Sequence, residues 1–143
     1  MVWTATDPAL RELLANARTI AVVGHSDNPM RTSYRIAQFL RQAGYAVYPV
    51  NPTVAQIDGQ PSYPSLAAVP QPIDLVNVFR RSEHLPGVVE EAIAVKAGAV
   101  WAQLGVYADS AAQIARAAGI PLVMDRCIKV EFQRLGVRLQ PEG

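Results

Sequence analysis

Residues 19–34 read TIAVVGHSDNPMRTSY and join an apolar run to a polar loop and then to a helical pattern. The apolar residues 20–23 predict a strand buried on both faces, because a strand with one solvated face would alternate polar and apolar residues. Apolar residues then recur at helical spacing from Ser33 to Ala43, and Gly44 follows where a left-handed C-cap is common. The stretch therefore predicts one β-strand followed by a crossover helix.

The same order of strand, polar loop and helix recurs along the chain. Strands are predicted to start at five positions about 21 to 28 residues apart, the length of one strand with its crossover: Ile20, Ala46, Asp74, Ala99 and Ile120. Short apolar strands that alternate with helices form parallel sheets covered on both faces. We therefore predict an α/β fold, a Rossmann-like, doubly wound parallel sheet of about five strands in a three-layer sandwich.

Two segments depart from this regular pattern. At the start of the chain, Asp7 is expected to cap a short packing helix and Pro8 to occupy its first turn. Residues 49–72 hold six of the eleven prolines, which disfavour a long helix. The second crossover is therefore expected to be irregular or only briefly helical.

The composition fits a single domain spanning residues 1–143 and argues against several partners. Half of the residues are hydrophobic and 17% are charged, which supplies enough apolar material for a buried core. The formal net charge is +1 without a basic block, so charge gives no reason to expect nucleic acid or a membrane as a partner. The single cysteine, Cys127, cannot form an internal disulfide, and no metal site is expected. Together with an N-terminus unlike a signal peptide, this predicts a cytoplasmic protein.

The loops that follow the strands are the candidate ligand sites. In open parallel sheets, ligands bind outside the carboxyl ends of the strands, where helix N-termini present free N–H groups. The first loop has only the first glycine of a dinucleotide fingerprint, so a standard NAD site is not predicted. Gly24 permits a tight turn there, while Ser26, Ser33 and Arg31 offer donors for an anion. The alternative is that Ser33 only caps the helix and Arg31 lies in solvent.

The loops after the next strands each allow two interpretations. Asn51-Pro52 stands where NAD-binding proteins place an acidic residue for the ribose, but it also suits an ordinary turn. Arg80-Arg81 could bind a phosphate or form a solvated pair with nearby acidic residues, namely Glu83, Glu90 and Glu91. The loop 103–105 could contact ligand amides or simply connect a strand to a helix.

Five segments, taken in order, resemble the small stand-alone coenzyme A-binding proteins, which are similar to the N-terminal domain of the succinyl-CoA synthetase alpha subunit. The segments are IAVVGHS (20–26) with Pro29, Arg31 and Ser33, then YPVNP (48–52), DLVNVFR (74–80), WAQLGV (101–106) and MDRC (124–127). The resemblance covers Pro8 to Leu139, and each segment lies at the carboxyl end of a predicted strand.

This resemblance implies a Rossmann-like fold that binds coenzyme A in an extended groove. Carried over by position, Gly24, His25, Ser26 and Arg31 would surround the phosphates, with Ser33 at the helix start. The other positions follow the ligand in order: Asn51 and Pro52 at the nucleotide, Val78, Phe79 and Arg80 at its middle, and Gln103 and Gly105 at the pantetheine arm.

We therefore expect the chain to bind coenzyme A or an acyl-CoA without catalysis of its own, and we assign no catalytic residue. The sequence ends where the synthetase would continue into the domain that bears its phosphorylated histidine, so synthetase activity is not expected. Two alternatives stay open: a CoA-linked thiol redox switch through Cys127, or a non-catalytic interaction subunit of an acyl-CoA ligase. The interaction subunit would dock a protein partner or a second copy of the chain, and an exposed Trp3 or Trp101 would indicate it.

Overall fold

The computed structural model describes residues 2–139, which form a central parallel sheet between two layers of helices. In chain order, the strands are β1 (Thr19–Val23), β2 (Ala46–Val50), β3 (Gln56–Ile57), β4 (Gln60–Pro61), β5 (Leu75–Val78), β6 (Val100–Ala102) and β7 (Leu122–Val123). The α-helices are α1 (Asp7–Asn16), α2 (Thr32–Ala43), α3 (Leu85–Ala94), α4 (Asp109–Ala118) and α5 (Ile128–Arg134). Two short 3-10 helices cover Leu66–Ala68 and Ser82–His84.

The main sheet has the strand order β2-β1-β5-β6-β7, and all its pairs are parallel. This order confirms the predicted doubly wound α/β fold of five strands. The chain first moves outward from β1 to β2 and then crosses back to β5 on the other side of β1. The direction of winding therefore reverses between β1 and β5, and such a reversal leaves a crevice at the carboxyl ends of the two strands.

Alternate residues of the strands build two separate cores. On one face, Ile20 and Val22 pack with apolar side chains of α1, α2 and α5; on the other, Ala21 and Val23 pack with α3 and α4. Trp101 of β6 is fully buried in the first core, and its indole Nε1 donates to the Arg126 carbonyl at 2.9 Å. Trp101 therefore does not provide the exposed tryptophan that would indicate an interaction subunit, because the β6 register directs its ring inward, and Trp3 is half-buried.

The structure corrects one cap and confirms one glycine at the helix ends. Thr6, not Asp7, is the N-cap of α1: its Oγ1 accepts from the Ala9 N–H at 3.3 Å, and Asp7 is already the first helical residue. Helix α2 ends as predicted at Gly44, whose φ of 111° lies in the left-handed region.

The proline-rich crossover from β2 to β5 is irregular, as predicted. It contains the small hairpin β3–β4, whose turn residues Asp58 and Gly59 have φ values of 52° and 79°. A turn with positive φ at both central positions matches the right-handed twist of a hairpin, and Asp-Gly is a favoured pair there. No helix among residues 2–139 has the length and apolar character needed to cross a membrane.

Candidate functional site

The crevice between the ends of β1 and β5 forms a groove, which we define by the loops 24–33, 51–54 and 79–81. It forms an open cavity of about 780 Å³. Gly24 lies at its floor with a φ of 87°, and a Cβ added there would lie 2.6 Å from the Phe79 carbonyl oxygen. The two strand ends thus approach as closely as they do because residue 24 has no side chain.

The loop from Ser26 to Arg31, on one side of the groove, is held by its own hydrogen bonds. The Ser26 N–H donates to Ser33 Oγ at 2.9 Å, and Ser26 Oγ accepts from the Asn28 N–H at 3.0 Å. Asn28 Oδ1 in turn accepts from the Met30 N–H at 2.9 Å. The loop is therefore held by contacts within the protein, and it leads directly into the first turn of α2.

The N-terminus of α2 gives this side of the groove a partial positive charge. The first N–H groups of an α-helix have no carbonyl partner one turn earlier, and the helix dipole points its positive end here. Arg31 is the N-cap and makes no side-chain cap bond, whereas the buried Ser33 Oγ binds the Ser26 N–H. Since that oxygen acts as an acceptor, its own hydrogen remains available to a ligand. Arg31 is exposed but lines the groove.

Asn51, at the end of β2, connects the loops on both sides of the groove. Its Nδ2 donates to the His25 carbonyl at 2.9 Å, and its Oδ1 accepts from the N–H and the hydroxyl of Thr53 at 3.0 and 2.7 Å. Most of the hydrogen-bonding capacity of this amide is thus used inside the protein. This arrangement favours the turn interpretation of Asn51, with a role in building the wall of the groove.

A second cavity of about 220 Å³ adjoins the groove at Gly24 and Asn51. It is bounded by the segment 64–66 and by Pro52, and two opposite charges border it, Arg80 and Glu91. The neighbouring Arg81 lines the groove itself and lies 3.9 Å from Glu83, with both side chains largely exposed. The two arginines therefore face different cavities, which their adjacency in sequence does not indicate.

The structure brings most of the predicted site residues to the two cavities. Those that border one or both are Gly24, Ser26, Arg31, Ser33, Asn51, Pro52, Phe79 and Arg80. The side chains of His25 and Val78 are fully buried beneath this surface. Gln103 and Gly105 follow β6 and border neither of the two cavities. The assignment of each residue to the ligand stays a prediction.

Gln103 is almost completely buried beside a second amide, Asn77. Its Oε1 accepts from Asn77 Nδ2 at 3.1 Å and from the Ile128 N–H at 3.0 Å. These two donors fix the orientation of the amide, because only its oxygen can accept them. Gln103 therefore has donor capacity left at its Nε2. Cys127, the N-cap of α5, is half-buried next to this pair.

Sequence reasoning missed Arg41, which lies in the last turn of α2 and contacts the His25 ring. Its Nη2 lies 3.2 Å from His25 Nε2 and 3.1 Å from Gln60 Oε1, so it joins α2 to the hairpin. Burial lowers the pKa of His25 below the ordinary value of 6.5. Nothing in the spacing of these residues signals the contact. Among residues 2–139 there is no cluster of three or more side chains suited to a metal ion.

Comparison with known proteins identifies the class. Residues 18–133 match the sequence model described as "CoA binding domain". Because this match covers most of the sequence, the chain belongs to the CoA binding domain family, and the expected resemblance is confirmed.

Two relatives match along nearly their whole length. The uncharacterized protein YneT of Bacillus subtilis is 46% identical over 121 residues, which are 85% of this chain and 90% of that protein. A solved structure of a hypothetical protein from Pyrococcus horikoshii is 36% identical with a TM-score of 0.88, covering 94% of this chain and 99% of that one. The solved structure thus shares the complete fold with this chain.

A larger relative links the family to acyl-CoA ligases. The ADP-forming acetate–CoA ligase I of Archaeoglobus fulgidus is 34% identical over 80 residues, which are 56% of this chain and 12% of the ligase. The chain is therefore similar to one part of that enzyme, and the activity of the whole ligase does not follow from the match.

Proposed function

We propose that the protein is a cytosolic binding protein for coenzyme A or an acyl-CoA, which it holds in the groove without catalysing a reaction. The observation that carries the proposal is the internally hydrogen-bonded loop that follows the close-packed Gly24 and leads into the α2 N-terminus, in a chain of this family. The diphosphate would lie against the first turn of α2, where N–H groups and the helix dipole favour an anion.

The charges and size of the groove support a phosphate-bearing ligand. Arg31 faces it and has no carboxylate within ion-pair distance among residues 2–139, so its guanidinium is free to bind a phosphate. Coenzyme A carries most of its negative charge on phosphates, and the chain as a whole has a net charge of only +1. The attraction is therefore local. A cavity of about 780 Å³ is in the range that holds a cofactor-sized molecule.

The remaining parts of coenzyme A would contact the other loops. In our proposal the adenosine packs near Pro52, and the ligand then passes Phe79 towards the end of β6. Gln103 would meet the pantetheine arm there, and it would do so as a donor to an amide carbonyl, since its oxygen is already bonded twice. NAD is a poorer fit, because Asn51 replaces the acidic ribose ligand and its amide is occupied within the protein.

Isothermal titration calorimetry of the ligand-free protein with coenzyme A, NAD and ATP tests the proposal. We expect selective binding of coenzyme A. Arg31→Ala should weaken it by about 1 to 3 kcal/mol, or about 5- to 150-fold, through loss of a charge-assisted hydrogen bond. Arg116→Ala is the matched control, because it removes the same charge at an exposed position in the last turn of α4, which borders neither of the two cavities. Equal losses for the two variants would contradict a specific role of Arg31, and failure to bind coenzyme A would refute the proposed function.

A further inference from the structure

His25 is buried directly behind the loop, and both of its ring nitrogens are engaged. Nδ1 lies 2.8 Å from the Ser26 carbonyl oxygen, and Nε2 lies 3.2 Å from Arg41 Nη2. A carbonyl oxygen only accepts hydrogen bonds and a guanidinium only donates them. The imidazole must therefore carry its single proton on Nδ1 and present a lone pair at Nε2. The contacts with the Ser26 carbonyl and with Arg41 can therefore both be made only by the neutral ring.

The charged and titratable groups around His25 make its protonation costly. The guanidinium of Arg41 in α2 contacts Nε2 of the ring. The other hydrogen-bond partners of that guanidinium, Gln38 and Gln60, are neutral. Tyr34 of α2 packs edge-on against the ring at 5.9 Å between centroids, and its hydroxyl binds Asp58 of the hairpin turn. Burial is the largest effect and lowers the pKa of His25, and Arg41 acts in the same direction. The hydrogen bond to the Ser26 carbonyl and the charge of Asp58 favour the charged ring but do not reverse this direction. A proton on Nε2 would face a cation that has no lone pair to accept it.

We propose that His25 is the positioning residue of the loop and that only protein with a neutral His25 binds the phosphate-bearing ligand, so that acid releases it. This inference rests on the proposed function. The ring holds the Ser26 carbonyl, while Asn51 holds the carbonyl of His25 itself. A proton taken up from solvent at Nε2 breaks the bond from Arg41 and displaces the ring. His25 and Ser26, which follow Gly24, then lose the backbone shape that presents the α2 N-terminus to the ligand.

The test is the affinity for coenzyme A between pH about 8 and pH about 5, where a histidine of lowered pKa titrates. Dephospho-coenzyme A serves as a second probe, because the phosphomonoester of coenzyme A itself titrates near pH 6 whereas a diphosphate does not. We expect the Kd for both probes to be constant at the alkaline end. It should rise below the pKa of His25 by up to tenfold per pH unit.

Three variants separate positioning from general stability. His84→Gln removes the other histidine, which is half-exposed and borders neither cavity, so the pH profile should be unchanged. His25→Asn keeps an N–H donor near the Ser26 carbonyl but cannot titrate, so the profile for dephospho-coenzyme A should become flat. Arg41→Gln removes the cation beside Nε2, which raises the pKa of His25 and moves the midpoint to higher pH. A structural role alone would not move that midpoint.

Nitrogen NMR of the His84→Gln protein reads the remaining imidazole directly and needs no ligand. We expect the proton on Nδ1 and a pKa below 6.5. A proton on Nε2, or a pKa at or above that value, would overturn the inference even if His25→Asn does not fold. Binding at pH about 8 with a pH profile identical in the wild type and His25→Asn would overturn it and leave the proposed function intact. Absence of binding at pH about 8 would overturn both.

Discussion

Replacing Gly24 by alanine should destabilise the protein more than its small change in volume indicates. An alanine at a φ of 87° costs about 1 to 2 kcal/mol of backbone strain. The added Cβ would also lie 2.6 Å from the carbonyl oxygen and 3.1 Å from the carbonyl carbon of Phe79. The Phe79 backbone cannot shift away from the added Cβ without weakening a hydrogen bond, because the Phe79 N–H donates to the Val23 carbonyl at 2.8 Å. Relieving the overlap should cost about 1 to 3 kcal/mol more.

We therefore expect Gly24→Ala to lower the free energy of unfolding by about 2 to 5 kcal/mol and the Tm by about 5 to 15 °C. Chemical denaturation monitored by circular dichroism measures the free energy, and calorimetry measures the Tm. Gly119→Ala is the matched control, because Gly119 has a φ of 72° but nothing within 4 Å of an added Cβ. It should show the strain alone. If the two variants lose the same stability, the close approach of β1 and β5 at Gly24 is not the reason for this glycine.

Two further predictions concern the hydrogen bonds and charges of the fold. Asn51→Ala leaves the His25 carbonyl and the Thr53 N–H without their partner, so urea denaturation should show that the free energy of unfolding falls by about 1 to 3 kcal/mol. Asn16→Ala, at the end of α1, is the control. An equal loss of stability in that variant would contradict a special role of Asn51. Hydrogen bonds from Arg134 and Arg126 lower the pKa of Glu131, so the unfolded chain binds a proton more readily and stability falls as the pH drops below 4.5. In Glu131→Gln this decline should be shallower, and parallel curves would refute the assignment.

The five strands could be predicted because their signal is local. Each is a short apolar run ended by polar or glycine residues. Because these strands are buried on both faces, their residues are apolar throughout and do not alternate with polar ones as in a surface strand. The β3–β4 hairpin also had a local signal, the pair Asp58-Gly59, which the prediction of an irregular crossover did not use. Thr6 and Asp7 are both good caps, and the choice between them depends on where the first turn begins.

The candidate site was harder to predict because its polar contacts join distant parts of the chain. The loops could be located from the rule that ligands bind at the carboxyl ends of parallel strands. The inward direction of His25 depends on Arg41 and Gln60, which belong to a helix and to a hairpin. At a strand end it is also hard to predict which residue is the first to reach the groove. Val78, the last residue of β5, is fully buried, whereas the next residue, Phe79, borders the groove.

The use of hydrogen-bonding groups within the groove indicates how a ligand would be recognised. The side chains of His25 and Asn51 are committed to the protein, which leaves the N–H groups of the α2 N-terminus, the Ser33 hydroxyl proton and Arg31 for the ligand. All of these are donors, and Asp27 is the acidic side chain that lines the groove beside them. In the proposed function, this end of the groove would favour an anion held by several donors and would not distinguish one nucleotide from another. Selectivity for coenzyme A over ATP must then arise beyond the phosphates. The adjoining cavity between Arg80 and Glu91 is the place in the structure where a base or ribose would meet groups of both charges.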